Sequence, residues 1–321
     1  MCVLRTVGSN PTPSALVRSR SRLPRAARAR RPGPGRPLAG GEAVRGAERT
    51  EEGIATSSGP GAGHYSLPGV VASEWTKFRT VRSTVWTLAT TLVLGVGLGA
   101  IATATTAARW QQMSVLERIT FDPTRTSLTG ILFAQLAVGI LGVLVVTAEY
   151  GTGTIRATFA AVPRRQLVLA GKVAVFGSVV LVVGEAVSFA AFGVGQLLLA
   201  PTAPTAALGD PGVTRAVVGG GLYLLVLGLL ALGIAAMVRH TAGAIGAFVA
   251  VLLVLPIIVA ALPSSIGNAL GRYLPANIGV VLLSVAPQQH SFTPWVGLLV
   301  LAGYALAALS VGLVLVIRRD A

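Results

Sequence analysis

The feature that most constrains this chain is a set of six long, nearly uncharged apolar runs within residues 66–321. A helix needs about 20 mostly apolar residues to cross a hydrocarbon core about 30 Å thick, and each run is long enough. The runs cover residues 85–108, 128–148, 173–200, 216–238, 242–262 and 295–317. They lack the period-two alternation of barrel strands. We therefore expect an all-α integral membrane domain with six transmembrane helices over residues 85–321.

The composition excludes two other classes of protein. Only 12% of the residues are charged, whereas a typical soluble domain has about 25%. A soluble nucleic-acid-binding surface needs far more charge, so we expect no nucleic-acid partner despite the net charge of +15. Cys2 is the only cysteine, which excludes a secreted domain held together by disulfides.

Residues 1–65 form a separate region, rich in Pro and Gly, with 11 Arg against 4 Glu. Such a stretch cannot bury enough apolar area to offset its chain entropy, so we expect it to be disordered. Three interpretations remain open: a basic arm on anionic lipid, an Arg-rich targeting peptide, or an extension without function from a start codon set too far upstream. We expect no cleavable signal peptide, because the first strongly apolar stretch begins only at residue 85.

The positions of Lys and Arg predict the orientation of the spans. With both termini in the cytoplasm, the inner segments hold ten of these residues and the outer loops hold five. Cytoplasmic loops carry the excess of positive charge in membrane proteins. We therefore expect a multi-pass protein of the cell (plasma) membrane with both termini cytoplasmic.

Residues 66–84, before the first span, predict an amphipathic interfacial helix. Their apolar residues recur every three or four positions: Val71, Trp75, Phe78, Val81 and Val85. Glu74 and Arg82 interrupt this stripe.

The segment between the second and third runs, residues 149–165, predicts a short helix of its own. Gly151 and Gly153 release the chain from the preceding span, and Pro163 ends the new helix. Thr152 and Thr154 are candidates to cap it. Basic residues hold the segment on the cytoplasmic side: Arg156, Arg164, Arg165 and Lys172.

One apolar stripe on this short helix consists of Ile155, Phe159 and Val162, spaced by four and three residues. An exposed stripe held between two spans is suited to dock into a groove of a partner. The alternative is an ordinary loop lying on lipid headgroups, and the residues alone leave both open.

Residues 263–294 are long for a plain loop. Their apolar core, residues 278–285, is too short to cross the membrane and predicts an external or re-entrant helix. Pro256 is expected to kink the fifth span.

Few residues suggest chemistry. The sequence has no G-x-x-x-x-G-K-[ST] motif, so the chain cannot bind ATP through a P-loop of its own. The three His lie in separate segments without metal-ligand spacing. We expect no enzymatic activity, metal site or cofactor in this chain. Glu185 is the only ionisable group in mid-span, with Gln135 as a polar companion. Both are candidates to line a transport path, and the alternative for Glu185 is a bundle-facing structural residue.

Three segments resemble the permeases of ABC-2 type transporters. They are Ser73-Glu-Trp-Thr-Lys-Phe-Arg-Thr-Val-Arg-Ser before the first span, Glu149-Tyr-Gly-Thr-Gly-Thr-Ile-Arg followed by Pro163-Arg-Arg and Lys172, and Arg272-Tyr-Leu-Pro-Ala-Asn-Ile-Gly before the last span. The resemblance covers residues 70–321. It departs from the family pattern in having no large external domain.

The resemblance implies a dimeric permease, expected to be an exporter, whose coupling helix in residues 149–165 contacts a separate ATPase subunit that binds ATP and Mg²⁺. The positions that it implies for this interface are Glu149, Gly151, Gly153, Arg156, Phe159, Pro163, Arg164 and Arg165. Its expected partners are that ATPase, a second permease subunit and membrane lipid. The alternative is a non-transporting anchor or immunity subunit that holds a cytoplasmic partner, and a self-sufficient carrier is a distant third. No motif selects the cargo.

Overall fold

The computed structural model describes residues 67–162 and 164–319, and every regular element in these two ranges is helical. The α-helices are α1 Leu67–Thr80, α2 Arg82–Leu92, α3 Leu98–Arg109, α4 Val115–Ile119, α5 Pro123–Ser127, α6 Ile131–Thr152, α7 Thr154–Ala161, α8 Arg165–Leu199, α9 Val213–Val238, α10 Thr241–Val249, α11 Leu255–Ala260, α12 Ser264–Gly271, α13 Pro275–Leu283 and α14 Pro294–Arg319. The predicted disordered extension, residues 1–65, and the predicted helix end at Pro163 lie outside the described residues.

Among the residues that the structure describes, six continuous helices are long and apolar enough to cross a membrane. Spans 1 to 6 are Arg82–Gln112, Pro123–Thr152, Arg165–Leu199, Val213–Val238, Thr241–Ala260 and Pro294–Arg318. The six predicted runs are thus confirmed as helices, and their ends differ from the prediction by at most eight residues, at the start of span 3. The chain is a multi-pass membrane protein.

Spans 2 and 4 form the centre of the bundle. In their most apolar windows 61% and 67% of the residues are buried, against 17% to 22% in spans 1, 5 and 6. The largest fully buried side chains include Phe176, Tyr223 and Phe248, which come from spans 3, 4 and 5. The peripheral spans keep apolar side chains on their outer sides, as helices surrounded by hydrocarbon do.

Glycines allow span 1 to approach its neighbours closely, as the Gly95-x-x-x-Gly99 spacing predicts. A Cβ on Gly95 would overlap Val187 of span 3, and one on Gly99 would overlap the Ser127 carbonyl of span 2. Gly97, between them, has open space instead. Span 1 is π-helical at Val93–Gly97, where this contact is made.

The bundle has two ends that differ in structure. The end with α1, α7 and the Arg239–His240 turn is called the entry end, and the opposite end is called the far end. At the entry end, the His240 Nδ1 accepts a hydrogen bond from the Gly243 amide at 3.3 Å and so caps span 5. His240 therefore has a structural role, as the residue that caps span 5.

Between spans 5 and 6 the far end carries two short helices, α12 and α13, where a single one was expected. α12 buries none of its residues, whereas α13 buries Ile278, Gly279 and Leu282 against the bundle. Gly279 permits this contact, because a Cβ there would overlap the ring of Tyr223 in span 4. Span 5 is π-helical at Ala250–Val254, immediately before Pro256, whose missing N–H interrupts the α-helical hydrogen bonds.

Candidate functional site

Four charged side chains from three elements meet at the entry end. The Lys172 Nζ of span 3 lies 2.8 Å from the Glu74 Oε2 of α1 and 2.7 Å from the Glu149 Oε1 of span 2. The Lys77 Nζ of α1 lies 2.8 Å from the Glu74 Oε1 and 3.0 Å from the same Glu149 oxygen. We call these four residues the charge cluster. It connects α1 with spans 2 and 3.

Burial separates the two lysines of the charge cluster. The side chain of Lys172 is 5% exposed, like that of Glu74, and that of Glu149 is 13% exposed. The side chain of Lys77 is 41% exposed. Partial burial alone would lower the pKa of Lys77, but hydrogen bonds and attraction from Glu74 and Glu149 outweigh that effect and raise it above its ordinary value.

Only part of this cluster was anticipated. Glu149 was a predicted site residue, whereas Glu74 counted as an interruption of the apolar stripe on α1. In the structure Val70, Glu74 and Phe78 share one face and are buried, and Trp75 points outward with 47% of its surface exposed. Glu74, which interrupts the predicted apolar stripe, is therefore the residue that pairs α1 with Lys172 of span 3.

The connection between spans 2 and 3 contains a separate short helix in the structure. Gly153, with φ of 72°, turns the chain out of α6 in a conformation that favours glycine, and Gly151, two residues before it, is exposed. α7 then runs over Thr154–Ala161. The predicted threonine cap is wrong: α7 has no side-chain cap, and the Thr152 hydroxyl donates to the Ala148 carbonyl at 2.9 Å.

The apolar stripe of α7 faces its own chain, which corrects the expectation of an exposed stripe. Ile155, Phe159 and Val162 are each half-buried. The Arg165 guanidinium lies 5.3 Å from the centre of the Phe159 ring, and its Nη1 donates to the Val316 and Ile317 carbonyls of span 6 at 3.2 and 3.1 Å. Phe159 and Arg165 thus attach α7 to the bundle.

The outward face of α7 consists of Arg156, Ala157, Ala160 and Ala161, all exposed, and Arg164 is exposed next to it. This face is short, flat and positively charged. Any partner that reaches α7 from solution meets these residues before the apolar stripe.

The two candidates for a transport path lie on different spans, Gln135 on span 2 and Glu185 on span 3. Gln135 is 4% exposed, donates to the Leu132 carbonyl at 2.6 Å and accepts from the Tyr223 hydroxyl. Tyr223 also donates to the Pro275 carbonyl at 3.3 Å, so Gln135 joins spans 2 and 4 to α13. Its surroundings are those of a structural residue.

Glu185 lies on span 3 against Gly221 of span 4, where a Cβ would overlap the carboxyl group. One carboxyl oxygen, Oε2, is buried without a hydrogen-bond partner among the described residues. Glu185 is partly buried, and neither Glu185 nor Gln135 lines the cavities at the two ends of the bundle.

In the described part of the chain, a cavity lies at each end of the bundle. One of about 440 Å³ lies at the entry end beside the charge cluster, between α1, span 2 and α7. Its walls include Phe78, Leu141 and Leu144, with Lys77 and Thr158 at the polar side. The other, of about 770 Å³, lies at the far end between span 5, α12, α13 and the start of span 6. Within residues 67–162 and 164–319, no group of three His, Cys, Asp or Glu side chains is placed to hold a metal ion.

A comparison with models of known protein families gave no match, and a comparison with curated proteins gave none either.

Proposed function

We propose that this chain is the membrane-spanning permease subunit of an ABC-2 type transporter, an exporter driven by a separate ATPase subunit that binds the connection between spans 2 and 3. The observation that carries the proposal is the charge cluster. Segments that resemble the family separately in sequence, 73–83 and 149–172, meet through Glu74, Lys77, Glu149 and Lys172.

The contacts at the entry end allow a force applied to α7 to reach several spans. α7 presents a small exposed face, and Arg165 attaches the helix to spans 3 and 6. The charge cluster ties the adjoining end of span 2 to span 3 and to α1. A displacement of α7 is therefore passed to several spans together, as rigid connected elements transmit strain. ATP and Mg²⁺ belong to the partner in this scheme, and no cofactor is assigned to this chain.

The charges support placing the entry end in the cytoplasm of the cell membrane, with both termini on that side. Arg79, Arg82, Arg156, Arg164 and Arg318 all lie at this end. In the described ranges none of them forms an ion pair, because the two carboxylates of the charge cluster are taken by Lys77 and Lys172. Uncompensated positive charge of this kind is typical of the cytoplasmic side.

A second permease subunit is part of the proposal. Spans 1, 5 and 6 leave most of their residues unburied. Exposed apolar residues on span 5 include Leu253, Ile257 and Ile258. Lipid and a second permease subunit together would cover these surfaces, as hydrocarbon and packed helices do in membrane dimers.

The test is co-purification of the ATPase with a charge-reversed α7 face. Arg156→Glu combined with Ala160→Glu changes two exposed side chains and leaves Phe159 and Arg165 in place. Tagged protein is extracted in mild detergent, and bound ATP-binding-cassette subunits are identified by mass spectrometry. We expect the double variant to lose at least about nine tenths of the ATPase, since like-charge or unpaired groups at an interface cost several kcal/mol.

The matched control is Arg109→Glu, a charge reversal at an exposed position at the far end of span 1. It should retain the ATPase fully. Equal retention by the α7 variant would show that the partner binds elsewhere. An ATPase that co-purifies but drives no transport in reconstituted vesicles would favour the anchor or immunity subunit instead.

A further inference from the structure

The larger cavity lies at the far end of the bundle and has the size of a small-molecule site. Its volume of about 770 Å³ falls in the range of ligand pockets, which is about 300 to 1,000 Å³. It is formed by the last turns of span 5, by α12 and α13, and by the first turn of span 6. It is remote from the charge cluster and from α7.

One charged side chain, Arg272, lines this cavity. Its guanidinium lies 5.1 Å from the centre of the Tyr273 ring and 5.5 Å from the centre of the Phe292 ring, and the two rings themselves meet edge to face at 5.1 Å. The Tyr304 hydroxyl donates to the Tyr273 carbonyl at 3.2 Å, which holds this stretch of backbone to span 6. The guanidinium thus lies against two aromatic rings at the wall of the cavity.

The hydrogen-bonding capacity of Arg272 is unused in the described part of the chain. Its side chain is exposed, and no carboxylate or carbonyl there accepts from it. A guanidinium presents five N–H donors in a planar fork that matches carboxylate and phosphate groups. No Asp or Glu is among the residues that line the cavity, so nothing within it neutralises the charge.

The remaining walls are of two kinds. Near Arg272 they offer amides, including Asn268 and Asn277, which donate to or accept from polar groups. On the span 5 side they are apolar, with Ile257, Ala260 and Leu262. An occupant that satisfies both parts has a charged, hydrogen-bonding head and an apolar chain.

We propose that the far-end cavity binds an amphiphile with an anionic head group of the phosphate, sulfate or carboxylate class, and that Arg272 is the anchor for the head group. The apolar chain lies along span 5. This site goes beyond the proposed transport function, because it requires neither the ATPase nor a second permease subunit. Its presence can be tested on the isolated chain.

The experiment measures equilibrium binding of radiolabelled dodecyl phosphate to the purified chain in dodecyl maltoside, whose head group is neutral. We expect Arg272→Gln to weaken binding by at least about tenfold, the ratio that corresponds to the loss of one charge-assisted hydrogen bond. Arg272→Lys should weaken it less, since it keeps the charge but loses the planar fork. The control, Arg109→Gln, removes an exposed arginine at the same end and should bind as the unchanged chain does.

A second variant tests the cavity without touching the charge. Ala260→Trp places a large side chain in the apolar wall and should also weaken binding, while gel filtration checks that both variants remain folded. Inorganic phosphate distinguishes a free anion from the head group of an amphiphile. If it competed as strongly as unlabelled dodecyl phosphate, the alkyl chain of the ligand would contribute nothing, and the proposed amphiphile would be wrong. Dodecyltrimethylammonium that binds equally well, or unchanged binding in Arg272→Gln, would overturn the site.

Discussion

Replacing Lys172 with Met is the sharpest test of the charge cluster. The substitution keeps the length and most of the volume of the side chain and removes its charge. Lys172 is 5% exposed and lies within 2.8 Å of both Glu74 and Glu149. In the variant these two carboxylates share only the more exposed Lys77.

The expected loss of stability follows from burial. Breaking a buried ion pair by removing one partner costs about 3 to 5 kcal/mol, because a charge is left buried without compensation. Here Lys77 remains within 3.0 Å of both carboxylates, so we expect the lower end, about 3 kcal/mol. For a chain of this size that corresponds to roughly 6 to 12 °C in Tm.

Lys77→Met is the matched comparison. It deletes the same charge from the same cluster, but the Lys77 side chain is 41% exposed and both carboxylates keep Lys172. Exposed ion pairs contribute about 0 to 1 kcal/mol, so the variant should lose less than about 1 kcal/mol. Both variants lose one positive charge, so the difference between their losses in free energy of unfolding measures the effect of burial.

The assay is reversible unfolding in mixed micelles with increasing sodium dodecyl sulfate, followed by far-ultraviolet circular dichroism. The double variant Glu74→Gln, Lys172→Met should recover part of the loss, because it removes one of the uncompensated charges. If Lys172→Met were no less stable than Lys77→Met, the buried cluster would not hold α1 and spans 2 and 3 together, and the reasoning would be refuted.

Three further predictions address other parts of the molecule. The pKa of Lys77 is raised above its ordinary value of 10.5, so its stabilising contribution is complete below about pH 10.5 and is lost as the pH rises through the folded pKa. The stability difference between Lys77→Met and the unchanged chain should therefore decrease between about pH 8 and about pH 11.5, measured by unfolding at the two pH values. Gly279→Val should lower the free energy of unfolding by about 1 to 3 kcal/mol, because the added side chain overlaps the Tyr223 ring. Gly303→Ala adds a methyl group in open space and should not lower it; thermal unfolding of both variants is the measurement. Phe159→Ala should lower the Tm of the chain without its partner, because the ring packs inward; an unchanged Tm would contradict that packing.

The spans were predictable because their signal is local. A helix in hydrocarbon must be apolar over its own length, so a run of about 20 residues is informative without knowledge of its neighbours. The start of span 3 was the poorest estimate: the helix begins at Arg165, and Lys172 is part of it. A lysine interrupts an apolar run but does not interrupt a helix.

The candidate site was only half predictable. Gly151, Gly153 and Pro163 were the basis for predicting a short helix after Glu149, where the structure has α7. The spacing of Ile155, Phe159 and Val162 could not show whether this apolar face lies against the bundle or against solvent. Periodicity assigns residues to one face of a helix but does not identify the neighbour of that face. Packing turned Phe159 towards Arg165 and left Arg156 outside.

From the sequence alone, six apolar runs predict six membrane-spanning helices, because unpaired backbone groups and charges are costly in hydrocarbon. The pairing of the charges could be seen only in the folded chain. Glu74 and Lys172 are 98 residues apart, and their contact depends on how α1 lies against span 3. Likewise, Arg272 is a candidate binding residue only because the fold places it at the wall of a cavity that no Asp or Glu of the described residues lines.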